Sequence, residues 1–453
     1  MIELILRKAP RVLYLPKIWV KQAVVWGGAV AIALAAILFA KASEFGNAVF
    51  AKAVGFSPYL PFLLIPAGFA FVVWLTSKVF EGAGSSGIAR TIAAINAPEI
   101  ADRSSALSLR MAIGKIVLTT LSLCVGASVG PEGPTVQIGA AIMHKMGKRL
   151  YLSEPQKLRA LILAGGAAGI AAAFNTPLAG IIFAIEELAH SAEEKSGVLE
   201  MTTVIVAGVV SIALLGNYTY FGRTDVTLAL AQAWKPVLLC GIVGGLLGGG
   251  FAQVLVLFSR NLPARLGRLD AFRRDRPILF AAVCGLILAV LGLFCGNSIF
   301  GTGYDEAKGL IEGTHQLPAT FGLLKLCATA LSQLGGVPGG LLAPSLAVGA
   351  GLGSNIAPYI PNVPVAAVII LGMVGYFTGV VQTPITATII VMEMIRDPSL
   401  TLPLLATAFI AFTLSRLVCP VSLYQSIANA YLDHARRRHE RIEPPQEFPA
   451  ESA

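Results

Sequence analysis

The chain has little charge and few side chains that bind metals. Asp, Glu, Lys and Arg make up only 13% of its 453 residues, against roughly 25% in a soluble domain. Its five histidines and six cysteines form no CxxC pair and no helical histidine pair, which argues against a metal site and against a disulfide framework. We expect a membrane protein with small buried cysteines and no cofactor.

The sequence instead contains long apolar runs. Hydrophobic residues make up 55% of the chain, and the mean hydropathy is +0.75. A helix that crosses a bilayer needs roughly 20 apolar residues. Apolar runs of suitable size cover residues 23–40, 59–77, 236–259, 276–304 and 398–415. The sequence therefore predicts a multi-pass integral membrane protein.

Positive charge is concentrated in a few segments. Six arginines fall between residues 260 and 276, and smaller basic clusters lie at 7–11, 144–149 and 436–441. By the positive-inside rule these segments face the cytoplasm. Both termini are then inside, which predicts an even number of crossings. The net charge of +9 is thus interpreted as a topology signal and not as a nucleic-acid-binding surface.

The chain contains an internal repeat. The segment KIVLTTLSLCVGASVGPEGPTVQIGA at 115–140 aligns without a gap with KLCATALSQLGGVPGGLLAPSLAVGA at 325–350, an offset of 210 residues. Further along, NTPLAGIIFAIEE at 175–187 matches QTPITATIIVMEM at 382–394, an offset of 207. Duplicated halves with matching Gly/Pro breaks are typical of transporters.

The repeat defines the domain organisation. We predict one membrane domain over residues 1–432, built from halves at about 20–215 and 236–432. The polar, proline-containing residues 433–453 are predicted to be a short disordered cytoplasmic tail.

Each half has a proline where the repeat predicts a helix to begin. Pro134 and Pro344 both suit the first turn of a helix. Broken helices at membrane depth are tolerated only where the backbone lines a cavity or is buried in protein. A helix N-terminus exposes N–H groups and the positive end of its dipole, and such an end binds anions. Two such ends that point to one place predict a central anion site.

One acid lies at the first of these helix starts. Glu132 stands between Gly130-Pro131 and Gly133-Pro134. We interpret it as a gating carboxylate that competes with an anion for the helix N–H groups and moves away when protonated. A helix-cap acid is the alternative, but a cap alone does not need mobile glycines on both sides.

Four more ionisable side chains fall in apolar segments or at their ends. Glu186 and Glu187 end the run LAGIIFAIEE. They either face water or belong to a proton relay, and the residues alone leave both possibilities open. Lys115 and Lys325 occupy equivalent positions of the two halves. We interpret them as sources of a positive potential that attracts anions, with snorkelling to the interface as the alternative.

Two hydroxyl groups are candidates for holding an anion. Ser86 stands in the glycine-rich stretch GAGSSGIAR at 82–90, and Tyr424 follows the last long apolar run. Both hydroxyls can donate a hydrogen bond to an anion.

These motifs resemble those of the CLC family of chloride channels and proton-coupled chloride antiporters, over about residues 60–432. The family motifs G-S-G-I-P, G-R-E-G-P and G-x-F-x-P stand here as Ser86-Gly87-Ile88, Gly130-Pro131-Glu132-Gly133-Pro134 and Gly340-Leu341-Leu342-Ala343-Pro344. The segment AAAFNTPLAGIIFAIEE also resembles the family closely.

The resemblance implies an all-α membrane protein, a CLC-type inverted-repeat bundle of tilted and broken transmembrane helices. It implies a homodimer in the lipid bilayer, with a separate pore in each subunit and no cofactor beyond the transported chloride and proton. The paired regulatory CBS domains of other members are not seen after the membrane region, which looks prokaryotic and suggests the bacterial inner membrane.

The resemblance also implies roles for individual residues. The residues that correspond to the family's site are Ser86, Leu341, Leu342 and Tyr424 for the anion, Glu132 for the gate and Glu187 for proton transfer. Channel members usually have another residue at the position of Glu187. The resemblance therefore favours a proton-coupled chloride antiporter over a passive voltage-gated chloride channel.

Three departures from the family motifs surround the predicted anion site. Pro131 replaces an arginine, Leu342 replaces a phenylalanine, and Ala89 replaces a proline. Some bacterial relatives with altered gate motifs export fluoride, so a fluoride/proton antiporter of the same fold stays an alternative.

An intramembrane serine hydrolase is an alternative from another class. The stretch GSSG at 84–87 fits a G-x-S-G pattern. A catalytic serine needs a base within hydrogen-bond reach, and no histidine stands inside a clean apolar run. We therefore disfavour this class.

Overall fold

The computed structural model describes most of the chain. The described residues are 16–84, 86–97, 100–150, 155–189, 198–215, 220–222, 226, 228, 230–260 and 266–442. The N-terminal basic cluster, Ser85, Arg265 and the end of the predicted tail, 443–453, lie outside these ranges.

The described part of the first half consists mainly of helices joined by short loops. Its helices are α1 (Pro16–Phe56), α2 (Pro61–Lys78), α3 (Ile88–Asn96), α4 (Ile100–Ala106), α5 (Leu109–Cys124), α6 (Glu132–Leu150), α7 (Pro155–Phe174), α8 (Pro177–Phe183) and α9 (Val198–Leu215). Helix α8 continues into a π-helical turn, Ala184–Leu188.

The second half repeats this order. Its helices are α10 (Leu230–Ser259), α11 (Gly267–Asp275), α12 (Pro277–Leu293), α13 (Tyr304–Glu312), α14 (Phe321–Leu334), α15 (Leu342–Ile356), α16 (Val365–Val381), α17 (Pro384–Ile395), α18 (Thr401–Val418) and α19 (Leu423–Ile442). Short 3₁₀ turns follow α15 and precede α18.

The structure confirms the predicted repeat and its helix starts. Helix α6 begins at Glu132 and α15 begins at Leu342, an offset of 210 residues, and each has its proline in the first turn. Helices α8 and α17 begin at Pro177 and Pro384, the offset of 207 seen in the sequence. The expected all-helical bundle of broken segments is confirmed.

Matching glycine contacts hold the corresponding helix pairs together. In the first half Gly139 of α6 packs against Gly165 of α7, and in the second half Gly349 of α15 packs against Gly372 of α16. At each of these positions a Cβ atom would overlap the facing backbone. Small residues allow such close approach of helices in a membrane, so the same packing is built twice.

Six described helices are long and apolar enough to cross a membrane, or seven if a bent pair counts as one span. The bent pair is α11 with α12, which meet at 112°. Helix α1 has 41 residues and is therefore about 60 Å long, twice the roughly 30 Å hydrocarbon core, so it must tilt or extend beyond the bilayer. Its outward side carries exposed apolar residues such as Leu34 and Leu38.

The C-terminal boundary differs from the predicted one. Helix α19 runs from Leu423 to Ile442, so residues 433–442, which we expected in a disordered tail, continue the last helix. The sequence there is polar and basic, and polarity alone does not prevent a helix that has already started from extending.

Candidate functional site

The starts of α6 and α15 meet at one place near the middle of the molecule. The Gly130 N–H donates to the Gly340 carbonyl at 2.8 Å, and the Gly340 N–H donates to the Gly130 carbonyl at 2.6 Å. These two glycines are repeat-equivalent, and their antiparallel bridge brings two helix N-termini together. Because the first N–H groups of a helix have no partner within it, this junction concentrates donors for a negative group.

The predicted hydroxyls lie beside this junction. Ser86 is buried in the loop before α3, and a Cβ atom at Gly133 of α6 would lie 2.8 Å from its Oγ. Tyr424 is the second residue of α19, is fully buried, and its hydroxyl neighbours that of Ser86. Neither hydroxyl makes a well-formed hydrogen bond within the described residues. Buried polar groups normally have partners, so the pair can serve as donors to an anion.

Glu132 folds toward the start of α15. It is buried, and its carboxylate faces the backbone N–H of Ala343. Its Oε1 accepts a long contact of 3.5 Å from the Tyr220 hydroxyl, and its Oε2 has no well-formed hydrogen bond among the described groups. The carboxylate thus occupies a place where a free anion would find the same N–H group.

A cavity of about 1000 Å³ leads to Glu132. Its walls come from the second part of α1, from Pro131, Tyr220 and Tyr304, and from the segment between α12 and α13. The sequence predicts that the basic N-terminal cluster faces the cytoplasm, and that prediction would place this part of α1 on the opposite side of the membrane. We call this space the outer cavity.

Glu187 is buried in the π-helical turn after α8. The turn is closed by the Ala189 N–H, which donates to the Ala184 carbonyl at 2.8 Å. Glu187 is 1% exposed, and its Oε1 has no hydrogen-bond partner in the described part of the chain. The side chain of Gln425, next to Tyr424, donates to the Glu187 backbone carbonyl at 3.4 Å. Single π-helical turns often occur at functional sites.

Glu186 has a different environment from its neighbour. Its carboxylate accepts the N–H groups of Ile385 and Thr386, at 3.2 and 2.6 Å, in the first turn of α17. The repeat-equivalent Glu393 accepts the N–H groups of Leu178 and Ala179, at 3.2 and 2.7 Å, in the first turn of α8. We call these contacts the reciprocal caps. They account for Glu186 without a role in a proton relay.

The two membrane lysines bind loop carbonyls. Lys325 Nζ donates to the carbonyls of Ile299, Phe300 and Gly301, at 2.8–3.2 Å. Lys115 Nζ donates to the carbonyl of Gly84 at 2.9 Å. Both lysines are fully buried, so they do not snorkel. Each fixes the loop before a short helix, and the loop held by Lys115 carries Ser86.

The sequence missed two of these contributors. Tyr220 belongs to no motif and stands in the segment between the halves. Glu393 could have been found, because it aligns with Glu186 at the offset of 207 residues. The structure gives no support to a serine hydrolase: the Ser86 hydroxyl neighbours Tyr424, and the buried His144 contacts Ser104 at 3.3 Å.

Comparisons with known proteins agree with this architecture. A family model described as "Voltage gated chloride channel" matches residues 68–416. The chain is 29% identical to the chloride channel protein CLC-e of Arabidopsis thaliana over 77% of this chain and 51% of that protein, so it spans about half the length of this relative. It is 26% identical to the H(+)/Cl(-) exchange transporter ClcA of Vibrio vulnificus, over 70% of this chain and 69% of that one.

A solved structure has the same fold. The crystal structure of a CLC-type fluoride/proton antiporter superposes with a TM-score of 0.76 at 24% identity, over 90% of this chain and 98% of that one.

Proposed function

The chain belongs to the voltage gated chloride channel family, and on that premise we propose that it is an antiporter that exchanges chloride for protons across a membrane. The observation that carries the proposal is a pair of buried carboxylates, Glu132 and Glu187, in the electrostatic environment of the Tyr424 hydroxyl. A passive anion pore has no need for a second buried acid, because an unpaired carboxylate is costly to bury.

The anion would bind where the helix starts meet. The Ser86 and Tyr424 hydroxyls and the N–H groups at the start of α15, at Leu341 and Leu342, can all donate hydrogen bonds, which suits a small anion without any cofactor. Chloride is the expected substrate. The exchange transporter from Vibrio vulnificus carries chloride and protons in its name, which supports this choice.

Glu132 would alternate between two positions. As a carboxylate it competes with the anion for the N–H groups of α15, and as a neutral acid it releases them. Because its side chain borders the outer cavity, the released acid can exchange its proton with the outside. Glu187, on the π-helical turn, would exchange protons with the cytoplasm. Chloride and the Glu132 carboxylate would compete for the same position. This competition would couple the chloride flux to the proton flux.

The protein would work as a homodimer in the bacterial inner membrane, with a complete pathway in each subunit. The family resemblance supports the dimer, and every group in the mechanism above belongs to one chain.

The test compares the wild-type protein with Glu187→Gln in liposomes that hold a chloride gradient. The proposal predicts that the wild-type protein moves protons against the direction of chloride. Glu187→Gln, which keeps the shape of the side chain but cannot carry a proton, should retain chloride flux and lose proton flux. A protein that moves chloride without protons in both forms would be a passive channel.

A further inference from the structure

Tyr220 lies beside Glu132 at the wall of the outer cavity. It stands in the segment between α9 and α10, outside both repeats, so it has no counterpart in the second half. Its side chain lines the outer cavity together with Tyr304 and Glu132. The Tyr220 hydroxyl points at Glu132 Oε1, 3.5 Å away. The hydroxyl therefore contacts the carboxylate at the wall of this cavity.

The ring of Tyr220 is held on three sides. It makes edge-to-face contacts with Phe174, Phe221 and Tyr304, at centroid distances of 5.7, 5.0 and 4.8 Å. Such pairs contribute roughly 0.5–1.5 kcal/mol each beyond their buried area. The Tyr304 hydroxyl also donates to the Tyr220 backbone carbonyl at 2.6 Å. The aromatic contacts fix the ring, and the hydroxyl therefore keeps its direction toward Glu132.

A fixed donor at this place favours one position of Glu132. A hydrogen bond to an ionised acceptor is stronger than one between neutral groups, so the hydroxyl stabilises the carboxylate in the position that faces the N–H of Ala343. An anion has to displace the carboxylate from that position. The hydroxyl thus acts on anion binding through Glu132, without touching the anion itself.

We propose that Tyr220 is a positioning residue, a hydrogen-bond latch that holds Glu132 over the anion site and so raises the external anion concentration needed for transport. The proposal rests on the proposed function, because it takes Glu132 as the group that competes with the anion. Tyr220, which lies outside both repeat halves, would thus help to set the apparent anion affinity.

The test is Tyr220→Phe, which removes one oxygen and keeps the ring and its aromatic contacts. In liposomes, the external chloride concentration that gives half-maximal flux should fall about two- to fivefold, the effect of one modest hydrogen bond. The number of protons moved per chloride should stay the same. The control is Tyr59→Phe, which removes the same atom from a residue that is 71% exposed, and it should change neither quantity.

The second arm repeats Tyr220→Phe in a Glu132→Ala background. Because the latch acts only on the carboxylate, it should have no effect there, as a double-mutant cycle requires of a direct pair. Two results would overturn the latch. The first is a Tyr220→Phe protein whose half-maximal chloride concentration equals that of the wild type, and the second is an equal shift of that concentration in the Glu132→Ala background. If Glu132→Ala itself keeps full proton coupling, the proposed function fails, and the latch fails with it.

Discussion

Glu186 and Glu393 occupy equivalent positions of the two halves, and each carboxylate binds the first turn of the helix from the other half. The two pairs of hydrogen bonds have nearly the same lengths, 3.2 and 2.6 Å for Glu186 and 3.2 and 2.7 Å for Glu393. A symmetric side-chain contact of this kind links the halves far from the Gly130–Gly340 bridge in sequence. It also explains why an acid stands at the end of each apolar run.

Removal of either cap should destabilise the protein by a similar amount. Each carboxylate satisfies two N–H groups that have no helical partner, and loss of a cap costs about 0.5–2 kcal/mol. Glu186→Ala and Glu393→Ala should therefore lower the melting temperature in detergent to the same degree. Glu312→Ala is the matched control, because that acid is 43% exposed and its contact with Lys308 is long, at 3.9 Å. A large fall in melting temperature in only one of the two variants would contradict the symmetric role of the caps.

Removal of the buried hydroxyls should weaken anion binding and leave stability nearly unchanged. Ser86 and Tyr424 have no well-formed hydrogen bonds within the described residues, so Ser86→Ala and Tyr424→Phe remove only the proximity of the two hydroxyls. Each should lower chloride affinity by about ten- to a hundredfold, the effect of one hydrogen bond to a charged group. Isothermal titration measures the affinity, and a thermal melt gives the control. Lower melting temperatures with unchanged affinity would show that these hydroxyls serve the fold alone.

Substitution of Lys325 and substitution of Lys115 should have different effects, the first on stability and the second on chloride binding. Lys325→Met leaves three carbonyls without their donor, and an unsatisfied buried group costs about 1–3 kcal/mol, so we expect mainly a loss of stability. Lys115→Met frees the loop that carries Ser86, so we expect weaker chloride binding. Equal losses of chloride affinity in both variants, reduced by added salt, would instead favour the predicted attraction of anions by the two charges.

Glu132→Gln should separate anion flux from proton flux. The amide cannot take up or release a proton, so proton movement should stop, whereas chloride should still cross because the hydroxyls and helix starts remain. Simultaneous recording of external pH and chloride efflux measures both. Continued proton pumping by Glu132→Gln against a chloride gradient would exclude this acid as the gate.

The sequence predicted the two helix starts, because these depend on local rules, whereas the roles of the site residues stay predictions. Prolines and glycines mark where α6 and α15 begin, and the same marks recur at a fixed offset. The residues alone left Glu186 and Glu187 undecided, since adjacent acids on a helix differ only in direction, and the family resemblance assigned proton transfer to Glu187. The π-helical turn and the contact with α17 separate them. Tyr220 could not be predicted, because its role depends on a tertiary contact with Glu132 from a segment outside both repeats.

The C-terminal boundary and the lysines have a similar explanation. Composition marks residues 433–442 as polar, but the preceding turns of α19 carry the helix through them. Symmetry singled out Lys115 and Lys325 as a pair, and both donate to loop carbonyls in the structure. Their contacts with loop carbonyls are a structural role that spacing alone does not reveal, and their attraction of anions stays a prediction.

The most direct test of the account is to reconstitute the pure protein in liposomes with a chloride gradient, and to record external pH and chloride efflux together. We predict that protons move in the direction opposite to chloride flow, at a fixed number of protons per chloride. The same measurement with fluoride and with nitrate ranks the anions. Strong coupling with fluoride and little with chloride would keep the mechanism and change the substrate. Chloride flux with no proton movement would contradict the central claim.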